Sequence, residues 1–332
     1  MNSSIIAEQK IFKEIHKKAK ELSKSSRCLI CGKETSSMCN SHVVPAFILR
    51  EISKDGHIAY GYSLFGEDAV YGTTGINNAH TFHLICKKCD NEFFKDYESP
   101  NKIFNFNEFS IIEQQRILGN IAIKNHLSHI YSKAVAHNYY KIALNIKTDN
   151  FPSARRIDIL EHMQYIDKIK NYDYESEVPF QIIFNKTLDR KLNIASQTLI
   201  CLIYDLRKRK VFEQRDLSID NKCEYLYLNI FPYENKTKII FYIEKDNIGH
   251  NQTFIEDFAK LSDEEKIHLL FILMILYSEQ FYINPKLKEK MLKDKKICEL
   301  YKATDLQNNN TKGLKKLSEF KKYANYFNID LE

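Results

Sequence analysis

Tryptophan is absent from this 332-residue chain, and glycine (9) and proline (6) are scarce. No internal repeat and no long low-complexity stretch runs through it, so a repeat array is not expected. Long hydrophobic runs are missing too. The longest, from residue 267 to 277, is about half of the roughly 20 residues a membrane-spanning helix needs. Glu264, Glu265 and Lys266 precede it directly, which favours a buried core helix. The opening segment MNSSIIAEQKIFKE has no basic stretch followed by an apolar one, and so predicts no signal peptide. The expectation is a cytoplasmic protein that does not engage a membrane. Neither sign of charge dominates: 49 Lys and Arg face 43 Asp and Glu, a net +6. That surplus is compatible with nucleic acid without demonstrating it.

What is present is a chain able to bury a core, with 44% apolar residues. Its length suits one large or two ordinary domains. Helical spacing is expected over residues 5–23, with Ile5, Ile6, Ile11, Phe12, Ile15 and Ala19 on one stripe. It returns over 107–140, with Ile117, Ile121, Leu127, Ile130 and Val135 as core positions. Between residues 178 and 244 the character changes to short β-branched and aromatic runs: PFQIIF, QTLICLIYDL, EYLYLNIF and KIIFYIEK. The last two, joined by a few polar residues, predict a β-hairpin. Helices are expected again over 253–282, over 285–301 and in a lysine-rich final stretch. The fold class read from this pattern is α+β: a small N-terminal metal module, helices, a short antiparallel sheet and a helical C-terminus. The divisions fall at residues 1–26, an N-terminal helix; 27–100, the metal module; and 101–332, an α+β domain without an assigned role.

Eight cysteines are present. Four form two Cys-x-x-Cys pairs, Cys28/Cys31 and Cys86/Cys89. Cys39, Cys201, Cys223 and Cys298 are scattered and read as ordinary buried thiols. In a cytosolic chain the paired spacing favours a metal over a disulfide. Four thiolates from two such pairs are a closed, structural zinc site. A redox dithiol is the minor alternative, as is Cys39 as a substitute ligand. The pairs are further apart than in compact zinc ribbons, so the loop between them must hold structure of its own.

Three segments carry a family resemblance: CLICG, then SHVVP, then LICKKCDNEFF. Over about residues 27–99 they resemble the zinc-bearing branch of the HNH endonuclease superfamily, the treble-clef, ββα-metal group. The resemblance implies that His42 is a general base taking a proton from the attacking water. It implies that Asp90, directly after the fourth zinc cysteine, binds a catalytic divalent cation, Mg2+ or Mn2+. The position before the base is usually Asp or His and here is Ser41. The family's middle Asn has no clean counterpart; Asn77, Asn78, His80 and His83 lie near it, and Asn78 or His80 is the candidate for orienting the base. Glu98 lies two helical turns beyond Asp90, a rise of about 12 Å on a straight helix, too far to share one ion easily. The implied activity is phosphodiester hydrolysis in nucleic acid, DNA ahead of RNA, in a setting such as phage defence. The alternative is a non-catalytic zinc module that binds nucleic acid or a protein.

Other features have plainer readings. Phe93, Phe94 and Tyr97 are expected to pack the zinc module. His126, His129 and His137 are expected as surface or polar-core histidines. Basic runs occur at 17–27, 207–210, 286–296 and 312–322. Of these, Arg207-Lys208-Arg209-Lys210 is the one most readily set against a phosphate backbone. The C-terminal region is expected to serve partner binding or self-association.

Overall fold

The computed structural model describes residues 3–61, 73–145, 153–213, 216, 221–278, 280–303 and 311–329. In chain order its first elements are α1 (Ser3–Leu22), β1 (Ser41–His42), α2 (Ala46–Ile52), β2 (His57–Tyr60), β3 (Thr73–Gly75), β4 (Thr81–Phe82) and α3 (Lys87–Phe94). Then come α4 (Pro100–Phe104), α5 (Ile111–Ala143), α6 (Ser153–Lys170), β5 (Phe180–Leu188), β6 (Ile194–Cys201), β7 (Tyr225–Tyr233) and β8 (Lys236–Glu244). The chain ends with α7 (Ile248–Ala259), α8 (Asp263–Tyr277), β9 (Phe281–Ile283), α9 (Pro285–Lys293), α10 (Lys295–Ala303) and the 3-10 segments Thr311–Lys322 and Tyr326–Asn328. The α+β class is as expected. Two compact units form, each discontinuous in sequence. The first gathers residues 1–43, 81–98 and 119–172; the second gathers 44–80, 99–118 and 173–332.

In the first unit, α1 turns Phe12, Ile15, His16 and Ala19 inward, at helical spacing, while its lysines face out, and Ser23 just past its end is buried. Ile11, expected on that stripe, is 57% exposed. One hundred degrees per residue sets it beside Phe12 but off the buried face. From Gly119 onward α5 belongs to this unit, and residues 121–132 are buried all round the helix. The expected core positions Ile121, Leu127, Ile130 and Val135 are among them or just beyond. A helix buried on every side is normally apolar throughout. This one also carries Lys124, Asn125, His126, Ser128 and His129 into the interior.

The second unit is built on a seven-stranded antiparallel sheet in the order β3-β2-β9-β6-β7-β8-β5. The predicted hairpin is β7–β8. Its register runs to Tyr233 opposite Lys236, leaving Glu234 and Asn235 as the turn. Glu234 has φ 50°, as a two-residue hairpin turn requires. Alternation along these strands sorts the faces. Leu226, Leu228, Ile230, Ile239, Phe241 and Ile243 join the main core with α8, in which every residue from Leu269 to Leu276 is buried. Tyr227 and Tyr242 stack at 4.7 Å on the other face, and the Tyr242 hydroxyl donates to the Leu118 carbonyl at 2.8 Å.

Three expectations are corrected here. The helices expected over 253–282 stop at Tyr277, and the end of that span is a strand. Ser262 and Glu265 form a reciprocal capping box that starts α8 afresh, and Phe281–Ile283 enters the sheet as β9 between β2 and β6. The helix expected over 285–301 breaks at Asp294, whose side chain accepts from the amides of Lys296 and Ile297 and so begins α10. The thiols of Cys201 and Cys223, expected to be free, form a disulfide. The β6–β7 ladder sets Cys201 opposite Tyr225, two residues past Cys223, and holds the two Cα atoms 5.9 Å apart.

The loop between the cysteine pairs does hold structure. Its β2 and β3 extend the sheet of the second unit. Gly61 closes that junction, because a Cβ there would stand 1.9 Å from the Phe281 ring.

Candidate metal centre and its polar neighbours

The first cysteine pair sits in a tight turn. Gly32 lies at φ 70°, a left-handed conformation that favours glycine, and its amide donates to the Cys28 carbonyl at 2.8 Å. The Cys28 amide donates back to Lys33 at 3.0 Å, closing a knuckle. The second pair sits at the start of α3. Cys86 precedes the helix, and its sulfur accepts from the Cys89 amide at 3.5 Å. Short backbone ladders bring the two pairs together: Leu29 to Leu84 at 2.9 Å, Cys39 to Ile85 at 2.8 Å and Lys87 to Ser37 at 3.1 Å.

The result is a cluster in which the Sγ atoms of Cys28, Cys31, Cys86 and Cys89 all lie within 4.8 Å of one another. Zinc–sulfur bonds of about 2.3 Å in a tetrahedron place sulfurs about 3.8 Å apart, so a small contraction completes the site. Burial and the three neighbouring thiols push the Cys89 thiol well above its ordinary value. A divalent metal relieves that crowding by replacing the protons. These four residues can hold a zinc ion. Among the described residues they form the only group of three or more His, Cys, Asp or Glu side chains spaced to hold a metal.

Asp90 follows Cys89 in the first turn of α3 and is half-buried. Both of its carboxylate oxygens accept hydrogen bonds from the segment around β1. The Ser41 hydroxyl donates to Oδ1 at 2.6 Å, and the Cys39 thiol donates to Oδ2 at 3.2 Å. Burial first, and then Asp90 itself, push the Cys39 thiol up to about 12. Cys39 is therefore a neutral donor to Asp90 and stands outside the four-cysteine cluster. Ser41 is buried, whereas His42 is partly open and pairs with Thr81 across the β1–β4 ladder.

Asn78 and His80 belong to the second unit. The Asn78 carbonyl accepts from the Tyr60 hydroxyl at 3.2 Å, and the His80 amide donates to the Tyr282 hydroxyl at 3.1 Å. Asn77 and Asn78 are exposed. Phe94 and Tyr97 are fully buried, as expected of core, while Phe93 is partly open.

Comparison with protein-family models, with curated proteins and with solved structures finds no match. The reading of the site therefore rests on its own chemistry.

A residue that sequence reasoning missed is Lys124. Its side chain is only 1% exposed, and its ammonium pairs with Glu98 while lying over the rings of Phe94 at 4.6 Å and Tyr97 at 5.6 Å. The distance expected between Asp90 and Glu98 assumed a continuous helix. α3 instead ends at Phe94, and the Glu98 amide folds back onto the Phe94 carbonyl at 3.0 Å. Burial raises the Glu98 carboxyl above its ordinary value; Lys124 opposes that shift and the charge of Asp90 adds to it. Asp90, Glu98, Lys124 and Cys39 thus form one electrostatic group.

Two further features bear on function. His126 and His162, both buried, meet through their Nδ1 atoms at 2.9 Å, with the His129 ring 5.3 Å from His162. They are polar-core histidines, one of the two readings expected for His126 and His129. In the second unit, each cation of the Arg207–Lys210 run has a carboxylate neighbour. Arg207 grips Asp257 through two bonds of 2.6 and 2.7 Å, Lys208 pairs with Glu319, Arg209 with Asp205 and Lys210 with Glu213. These side chains are about half exposed, and two of the carboxylates are shared, Asp257 with Lys260 and Glu319 with Lys322.

Proposed function

We propose that this chain is a divalent-metal-dependent nuclease of HNH type, hydrolysing phosphodiester bonds in nucleic acid. One observation carries the reading. The 2.6 Å hydrogen bond from Ser41 to Asp90 docks the strand residue beside His42 onto the helix residue beside Cys89. The antiparallel pair β1–β4 and the helix α3, which begins at the four-cysteine cluster, support this reading. His42, partly open, acts as the base that takes a proton from the attacking water. Asp90 suits a hard cation: the residue is half-buried, and each carboxylate oxygen keeps a lone pair beyond the hydrogen bond it accepts. When bound there, a divalent cation supplies stabilisation of charge on the scissile phosphate and the leaving oxygen. The role of Ser41 is to fix Asp90 in one rotamer. Zinc at the cysteines is structural.

A second reading, a non-catalytic zinc module, has its own support. Both Asp90 oxygens already accept a hydrogen bond, from Ser41 and Cys39, and Ser41 stands where the family has a second metal ligand. A cleavage assay separates the two. Zinc-loaded protein is incubated with plasmid DNA and with structured RNA, with and without Mg2+ or Mn2+, beside His42→Ala and Asp90→Ala. Metal-dependent cutting that both substitutions reduce at least about a hundredfold, with zinc retained, supports the nuclease. No cutting of either substrate supports the binding module.

A further inference from the structure

The second unit holds a cleft that the nuclease reading does not use. It lies where the end of β6, the start of β7 and the first turn of α7 meet. Asn251 of α7 lines it and is 1% exposed. The Asn251 Nδ2 donates to the Glu224 carbonyl at 3.1 Å and to the Asn247 carbonyl at 3.4 Å. Carbonyls only accept, so these two bonds fix which end of the amide is nitrogen. The other end, Oδ1, is a buried acceptor with no donor. A native interior calls for a donor at such an atom. Glu224 lines the same cleft, with a side chain 18% exposed. Its carboxylate accepts from the His250 amide at 2.9 Å and meets the His250 ring at 3.1 Å. Among the described residues no lysine or arginine pairs with it. Lys222, exposed, also lines the cleft and makes no ion pair among the described residues. Val211 and Phe212 give it an apolar wall. The space is about 170 Å³ including its open mouth, below the roughly 300–1,000 Å³ of sites for drug-sized ligands. Its occupant is therefore small.

We propose that this cleft binds a free aliphatic α-amino acid. Its ammonium donates to Asn251 Oδ1 and to the Glu224 carboxylate, its own carboxylate faces Lys222, and its side chain lies against Val211 and Phe212. Each part of the ligand answers one feature of the cleft. An anion alone would leave the buried acceptor unmet, and a simple amine would leave Lys222 without a counter-charge. The site is remote in sequence from the cysteine cluster and stands whether or not the chain cuts nucleic acid.

The test is saturation-transfer NMR on the full-length chain at pH 7 with L-valine and two mimics: isobutylamine, which lacks the carboxylate, and isovalerate, which lacks the ammonium. L-Valine is expected to bind saturably with a Kd of about 1 mM. Isobutylamine should bind about fivefold more weakly, and isovalerate at least about tenfold more weakly. Lys222→Ala, at an exposed position, should weaken L-valine about fivefold without weakening isobutylamine, whereas Glu224→Gln should weaken both about tenfold. Asn251→Leu should abolish binding. No saturable L-valine signal overturns the proposal, because water alone then meets the buried acceptor. Isovalerate binding as well as L-valine overturns it too, as does a folded Asn251→Leu protein that binds L-valine like the wild type. If Asn251→Leu does not fold, Glu224→Gln decides: unchanged L-valine affinity in that variant contradicts the site.

Discussion

Ser41 and Asp90, 49 residues apart, are joined by a 2.6 Å hydrogen bond in which a buried hydroxyl donates to a carboxylate. That contact ties the strand β1 to the helix that begins at the second cysteine pair. Hydrogen bonds to a charged acceptor contribute about 1.5–3 kcal/mol, and more is lost when the remaining group stays buried. Ser41→Ala is therefore expected to destabilise the protein by about 2 kcal/mol in urea unfolding, without loss of metal. A change below the error of the measurement would show that Asp90 is held by Cys39 alone.

The His126–His162 contact makes the first unit acid-sensitive. Burial holds both imidazoles well below their ordinary value; His129 lowers both further, and Lys133 lowers His162. Tyr165 stacks on His126, and Lys133 is paired with Asp158, so neither offers a compensating negative charge at the rings. In the unfolded chain these histidines take up protons below about pH 6.5, whereas in the folded chain they stay neutral. Stability is thus fully present above pH 6.5 and falls as the pH drops below it, by about 2 kcal/mol over the first unit for the pair. His162→Gln should roughly halve that slope. Urea unfolding at pH 7.0, 6.0 and 5.5 checks it, and a flat profile would contradict it.

The Cys201–Cys223 disulfide closes a segment whose ends are 22 residues apart. A closed loop of that size restricts the unfolded chain by about 3 kcal/mol. Adding a phosphine reductant should lower the midpoint of thermal unfolding, and Cys201→Ser with Cys223→Ser should reproduce the loss and no longer respond to reductant. Equal midpoints with and without reductant would show that the bond adds nothing.

Much of this organisation was legible in the sequence where the signal is local. Cys-x-x-Cys pairs announce a metal because two soft ligands two residues apart share one turn. The β7–β8 hairpin showed itself through two alternating runs separated by a short polar turn. What stayed hidden depends on distance along the chain. The three residues of β9 are too few to show a period, and their apolar character continued the helical run before them. Ser41 with Asp90 and Lys124 with Glu98 are pairings across 49 and 26 residues, and nothing in either local sequence marks them. Asp294, by contrast, is a capping residue that a closer reading of the break between two lysine-rich stretches would have found.

The central claim is that Cys28, Cys31, Cys86 and Cys89 hold a single zinc that organises the site around Asp90. Native mass spectrometry of the purified chain, with Cys86→Ser alongside, tests it most directly. The account predicts one zinc per wild-type chain, none in the variant, and loss of folded structure in the first unit on chelation. A metal-free wild-type chain in which all four thiols react freely while the fold persists would contradict it.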